Sequence, residues 1–359
     1  MKPVILISMN VAPVGGVGAD VLKCVRGLCK QGREVHVIYG FMDPATLAAI
    51  PGCQVNWHRV YMPKRPPLLA QIFLWAGVSI QVRAISRTSK NATIFCFERL
   101  PIGHYIIGYA PNSLWEKARK NMALSPFSKI PFRFWLDCMD VVLRNYYRGQ
   151  CVMYAQRDKA CFIREGGAEN KVIRVIIPTD THRFSPSVER NNRNYITIIG
   201  LSAKHKGIDI ALKAWSNISS GHKDITLRVI THSRAVKQLV SSSDCQQVEI
   251  ADFIPNVEVY YHSSRLVLMP SMYETWGNVL VESLACGVPV IASTEVPSSE
   301  IITSPSLGKV INHDVNELAA AIDAAIDMDM SETAMSQRHA HVKKFIAEND
   351  DLVSWISDI

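Results

Sequence analysis

Short apolar runs recur along the first half of the chain: Val4-Ile-Leu-Ile, Val35-His-Val-Ile, Thr93-Ile-Phe-Cys, Cys151-Val-Met-Tyr and Val172-Ile-Arg-Val-Ile-Ile. Their length and their β-branched content predict buried strands. Helical spacing fills several of the intervals, as from Asp20 to Lys30. Strand alternating with helix predicts a parallel, doubly wound sheet. The pattern breaks at the polar stretch Ser185 to Asn194. It then restarts with Tyr195-Ile-Thr-Ile-Ile, Thr226-Leu-Arg-Val-Ile, Gln247-Val-Glu-Ile, Arg265-Leu-Val-Leu-Met and Val288-Pro-Val-Ile. The expectation is an α/β chain of two doubly wound domains, over residues 1–180 and 190–345, with a linker near 178–194 and a short helix between Asp350 and Ile359.

Composition narrows the class. The 359 residues are 48% hydrophobic and 20% charged, ordinary for a globular protein. No window of 18 uninterrupted apolar residues occurs, which predicts no membrane span. Lys2-Pro-Val-Ile-Leu-Ile-Ser is too short for a secretory core, and nine cysteines without a Cys-x-x-Cys pair fit reduced thiols in a cytosolic protein. The net charge of +7 is uneven. Residues 1–180 hold 24 Lys/Arg against 11 Asp/Glu, and residues 181–359 hold 15 against 21. The basic half calls for an anionic partner. No nucleic-acid motif accompanies it, so an anionic membrane surface or an acidic glycolipid is expected rather than nucleic acid. Trp115 to Arg148, which interleaves Lys117, Arg119, Lys120, Lys129, Arg133, Arg144 and Arg148 with Phe127, Phe132, Phe134 and Trp135, suits such a surface, as does Lys64 to Trp75. The alternative is a helix pair packed on the sheet with a solvated basic face.

The densest chemistry lies in Met269-Pro-Ser-Met-Tyr-Glu-Thr-Trp-Gly-Asn-Val-Leu-Val-Glu-Ser-Leu-Ala-Cys-Gly-Val-Pro-Val-Ile-Ala292. A strand leads into a loop carrying Glu274 and Gly277. A helix follows from about Asn278 to Cys286, ended by Gly287. The helix start offers free backbone N–H groups from about Trp276 through Gly277 and Asn278 to Val279, which favours a phosphate. Glu282 emerges in the second turn, so both carboxylates can face one cleft.

This stretch resembles the donor-site signature of retaining glycosyltransferases of family 4, which have the GT-B fold. The resemblance implies that Glu274 contacts the transferred sugar and Glu282 the nucleotide ribose. It implies an inter-domain cleft, donor on the second domain and acceptor on the first, and a final helix (346–359) packing back on the first domain. Lys206-Gly207 matches the family's Lys-Gly, whose lysine neutralises the donor diphosphate. The arginine usual after the first glycine of that loop is Leu201 here, with Lys204 or His205 as its substitute. Ala12-Pro-Val-Gly-Gly-Val-Gly18 resembles the family's Pro-x-Gly-Gly loop, placing Gly15 and Gly16 near the diphosphate or acceptor; a plain glycine turn is the other reading. Two family segments differ: Pro178-Thr-Asp-Thr-His-Arg-Phe184, and Thr231-His-Ser in place of Gly-x-Gly.

Phe97-Glu-Arg-Leu-Pro-Ile-Gly-His104 follows another strand. His104 is either a catalytic cleft residue or a structural histidine. Phe97 to Lys117 resembles, more weakly, bacterial lipopolysaccharide core glucosyltransferases, without their aspartate near Ala110. The expected activity is metal-independent hexosyl transfer, with no cofactor beyond a nucleotide sugar such as a UDP-sugar, onto a lipid-linked, lipopolysaccharide or polysaccharide acceptor at the cytoplasmic face of the inner membrane. The rivals are a nucleotide-sugar 2-epimerase and a non-catalytic glycan-binding or nucleic-acid-binding protein.

Overall fold

The computed structural model describes residues 2–13, 16–63, 67–122, 130–187 and 193–359. Two compact units emerge. One comprises Met1–Lys117, Leu124–Ile177 and Asp350–Ile359; the other comprises Ala118–Ala123 and Pro178–Asn349.

The first unit is built on β1 (Val4–Val11), β2 (Val35–Met42), β3 (Val55–Arg59), β4 (Thr93–Cys96), β5 (Tyr105–Ile107), β6 (Gln150–Met153) and β7 (Val172–Arg174). They form one parallel sheet in the order β3-β2-β1-β4-β5-β6-β7. Val4 to Ile7 are fully buried, as expected for a strand covered on both faces. On one face Ile5, Ile7, Ile38 and Ile94 pack with Leu74 and Val78 of the helix Pro67–Thr88. Phe95 and Tyr105 alternate to the other face. There they meet Trp355 of the terminal helix Leu352–Asp358, with ring centroids 5.9 and 5.0 Å away. That helix is held by a parallel bridge between Ile176 and Asp351, and by Arg33, whose guanidinium donates to the carbonyls of Ile356 and Ser357.

The helix Pro67–Thr88 is long and apolar enough to cross a membrane by length and composition. Polar interruptions such as Gln71 and Ser79 hide it from a search for unbroken apolar runs. It buries Ala70, Leu74, Val78 and Ile85, and leaves Leu69, Ile72, Phe73, Trp75 and Ile80 exposed.

The second unit contains β8 (Tyr195–Ile199), β9 (Thr226–Ile230), β10 (Val248–Ala251), β11 (Ser264–Met269), β12 (Val290–Ser293) and β13 (Gly308–Ile311). They too form one parallel sheet, ordered β10-β9-β8-β11-β12-β13. Ile196, Leu227, Leu266 and Ile291 pack beneath Trp215 and Leu318 from the helices Ile208–Ile218 and Val315–Ile326.

Three strands escape a reading by apolar runs. β3 is a half-exposed edge strand, β5 has three residues, and β13 opens on glycine. β7 stops at Arg174, short of the apolar run's end at Ile177. In each sheet the winding reverses once, between β1 and β4 and between β8 and β11, and such switch points are where doubly wound sheets bind ligands.

Candidate active site

In the second unit the chain leaving β8 makes one helical turn, Ala203–Lys206, closed by Gly207 in the left-handed region at φ 67°. A Cβ on Gly207 would fall 2.2 Å from the Pro270 carbonyl oxygen, so only glycine lets this turn sit on the carboxyl end of β11. Two hydrogen bonds strap the turn to the next loop. The Met272 amide donates to the His205 carbonyl at 2.9 Å, and His205 Nε2–H donates to the Tyr273 carbonyl at 2.8 Å. Burial holds the His205 pKa below the ordinary imidazole value, so the ring stays neutral with its proton on the bonded nitrogen. The straps bring Lys206 Nζ to 2.5 Å from Glu274 Oε1. Both side chains are partly reachable, 26% and 12% exposed, so a ligand can compete for either.

Gly277, at φ 107°, precedes the helix Asn278–Ala285. A Cβ there would lie 2.7 Å from Ser298 Oγ and Val296 Cγ1. Asn278 and Val279, the first helical residues, are partly exposed and offer the anion-favouring end of the helix. Glu282 lies in the second turn, and its Oε2 accepts the Tyr261 hydroxyl at 2.8 Å. Tyr261 is fully buried, which pushes its phenol pKa well up and keeps it a donor. Tyr261 in turn meets Phe184, from the segment that departs from the family pattern, at 6.1 Å between centroids. At Thr231-His-Ser a helix cap stands in place of glycines: Ser233 Oγ accepts the Val236 amide.

Glu274, Gly277, Asn278, Val279 and Glu282 lie in the stretch that follows β11, and Lys206, after β8, is brought to it through Glu274. The Trp276 ring turns inward, 1% exposed and stacked on Phe345, and supports from beneath the loop whose backbone amide is the group expected to meet a phosphate. Leu201 is 53% exposed, and Lys204 is exposed on the same turn as Lys206. Among the described residues, no three His, Cys, Asp or Glu side chains converge as a metal-holding set.

In the first unit Gly15 lies outside the described residues, as do Lys64, Arg65, Phe127 and Lys129 of the basic-aromatic segments. Gly16 opens the helix Gly16–Lys30 with no atom within 4 Å of where a Cβ would stand. The next residue, Val17, lines a cavity of about 370 Å³ with Asn10, Phe97, Glu98 and Phe132. The expectation for His104 is corrected. β4 and β5 are parallel, so the loop between them must return to the amino edge of the sheet before β5 starts. His104, one residue ahead of β5, sits at that edge, away from the strand ends where ligands bind. Its Nδ1 accepts the Ile94 amide at 3.0 Å, a structural role. The residue of this loop that stands at the carboxyl end of β4 is Glu98, which sequence reasoning passed over. Tyr261 was also missed; a tyrosine inside a short polar helix leaves no spacing signal.

Residues 193–328 match the family model "Glycosyl transferases group 1". A glycosyltransferase of Haemophilus influenzae, itself uncharacterized, is 24% identical over 88% of this chain and 85% of its own length. Two further curated relatives are matched over 51% and 47% of their length. Among solved structures, WaaG, a glycosyltransferase involved in lipopolysaccharide biosynthesis, superposes with a TM-score of 0.80 at 14% identity, over 99% of this chain and 98% of its own. Anabaena HepE in complex with UDP and glucose does so with a TM-score of 0.69 at 16% identity, over 100% and 98%. At such identities the structural likeness establishes the fold, which is GT-B. Residues 193–328 are thus similar to the group 1 glycosyl transferases, and the chain as a whole has the GT-B fold.

Proposed function

We propose that this enzyme transfers a hexose, with retention of configuration, from a UDP-sugar to a lipid-linked, lipopolysaccharide or polysaccharide acceptor. The observation that carries the reading is the Lys206–Glu274 ion pair at the switch point of the second sheet, next to the Asn278–Ala285 helix start. An arriving diphosphate competes with Glu274 for the Lys206 ammonium. The freed Glu274 carboxylate then accepts hydrogen bonds from hydroxyls of the transferred sugar, while the Asn278 and Val279 amides meet phosphate oxygens and Glu282, oriented by Tyr261, takes the ribose. The acceptor hydroxyl attacks the anomeric carbon on the face the diphosphate leaves, and its proton passes to the departing phosphate oxygen. Lysine and helix dipole supply the charge that stabilises this leaving group, and we read the transfer as metal-independent.

HepE, solved with UDP and glucose, supports the choice of uridine donor, and WaaG supports an envelope acceptor. The exposed Leu69, Ile72, Phe73, Trp75 and Ile80 on a basic half of the chain support peripheral contact with an anionic membrane at its cytoplasmic face. Calorimetry of UDP, GDP and ADP in chelator, with Glu282→Ala as control, tests the core of this reading. One nucleotide should bind tightly to the wild type and more weakly to the variant. Folded protein that binds none of them overturns the donor-site assignment.

A further inference from the structure

The cavity of about 370 Å³ in the first unit opens at the switch point of its sheet, between the ends of β1 and β4. Its size falls in the range that holds small ligands. Its walls are largely apolar and aromatic, with Phe41, Phe97 and Phe132 among them, and the polar groups are few: Ser8, Asn10, Gln71 and Glu98. Aromatic walls suit the C–H faces of a sugar ring, and scattered hydrogen-bonding groups suit its rim.

Glu98 is the charged member of that set. Its Oε1 accepts the Met9 amide at 2.7 Å, and the Gln71 side chain also bonds the carboxyl. Neither partner is charged. The adjacent Arg99 is turned away, paired with Asp140 at 3.3 Å and lying 5.6 Å over the Tyr109 ring. Burial in this wall pushes the Glu98 carboxyl up to about 7. A carboxylate kept in an apolar wall, with no cation beside it among the described residues, is costly to the fold, which points to a use in binding.

We infer that this pocket seats a neutral pyranose ring of the acceptor, and that Glu98 accepts hydrogen bonds from ring hydroxyls and so selects which sugar the enzyme extends. Hydroxyl donors satisfy the carboxyl without bringing a charge, and the aromatic walls exclude water around the bond. The inference rests on the glycosyltransferase reading above and adds the chemical class of the acceptor group and the residue that chooses it.

The test uses the full chain and saturation-transfer NMR with methyl glycosides of glucose, galactose, mannose and N-acetylglucosamine, with methyl glucosaminide as the cationic probe. Wild type, Glu98→Gln and Glu98→Leu are compared, and UDP calorimetry is run on the same samples. At least one neutral glycoside should bind wild type. Its affinity should fall about threefold in Glu98→Gln, which keeps an acceptor oxygen, and by more than about tenfold in Glu98→Leu, with UDP affinity unchanged. If the leucine variant does not fold, the glutamine variant decides. Undiminished glycoside binding in folded variants overturns the proposal. So does a wild type that binds UDP but no neutral glycoside, or that binds the glucosaminide alone. A wild type that binds a glycoside and not UDP overturns the donor reading and leaves the pocket standing.

Discussion

Glu274 follows β11 in the second sheet and Glu98 follows β4 in the first, each beyond a strand end where the winding reverses. The two carboxylates are treated differently. Glu274 is matched by the Lys206 ammonium at 2.5 Å, whereas Glu98 has a backbone amide and a neutral side-chain amide. A paired carboxylate suits a site whose ligand brings its own negative charge, since the ligand can take over the lysine. An unpaired one suits a neutral ligand rich in hydroxyls, since nothing has to be displaced. The same type of position in the same type of sheet is thus tuned to different chemistry by what stands opposite the carboxyl.

The largest effect that would break this comparison comes from the backbone. Gly207→Ala places a Cβ 2.2 Å from the Pro270 oxygen in a left-handed residue, so the Lys206 turn must leave its place. Thermal unfolding should show the variant destabilised by about 3 kcal/mol, and calorimetry should show UDP affinity reduced by more than about a hundredfold. Unchanged UDP binding would mean that the turn does not form the donor site.

Separating the members of the ion pair sharpens the contrast. Lys206→Ala should weaken UDP binding by roughly 10- to 100-fold, the range for losing a charge-assisted contact. Glu274→Gln should leave UDP affinity within about threefold, because UDP lacks the sugar, yet lower kcat with the sugar nucleotide by about a hundredfold. Equal losses of UDP affinity in both variants would reduce the pair to a structural ion pair.

A pH-dependent effect follows from acid–base linkage at Glu98. Its folded-state value, about 7, lies above the ordinary 4.5, so the folded chain holds this proton more tightly than the unfolded chain. The stability it contributes is present at low pH and falls away as pH rises between those values. Glu98→Gln removes that loss. At pH 8 it should melt about 4 °C above wild type, corresponding to about 3 kcal/mol, and at pH 5 within about 1 °C of it. A difference independent of pH would show that the carboxyl is not held in an apolar wall. The smallest effect belongs to His104→Ala, which loses the bond from the Ile94 amide and about 1 kcal/mol of stability, with kcat within about twofold of wild type. A large fall in kcat would return His104 to the reaction.

What the sequence revealed tracks how locally each site is written. Glu274, Gly277 and Glu282 sit within nine residues, with glycines and a strand on either side, so the family-like pattern that singles them out is written locally. Lys206 is 68 residues from Glu274, and only the resemblance to a known loop links them. The first-unit pocket has no such signature. Its walls run from Ser8 to Phe132, and their convergence depends on the register of β1, β2 and β4. Glu98 and His104 were told apart only by locating β5, whose three residues are too few to show a period. Tyr261 reaches the Glu282 carboxylate across 21 positions, a contact fixed by packing.

The terminal helix carries a consequence for the order of events at the ribosome. Residues 350–359 supply Trp355 against Phe95 and Tyr105, and the carbonyls that receive Arg33, so the first unit is incomplete when its own last strand has been made. At typical rates of synthesis, the stretch from Ile177 to Asp350 takes roughly 10–35 s to emerge. For that interval the nascent chain carries an uncovered aromatic face, available to chaperones, and a chain cut before Asp350 leaves its first-made unit unfinished.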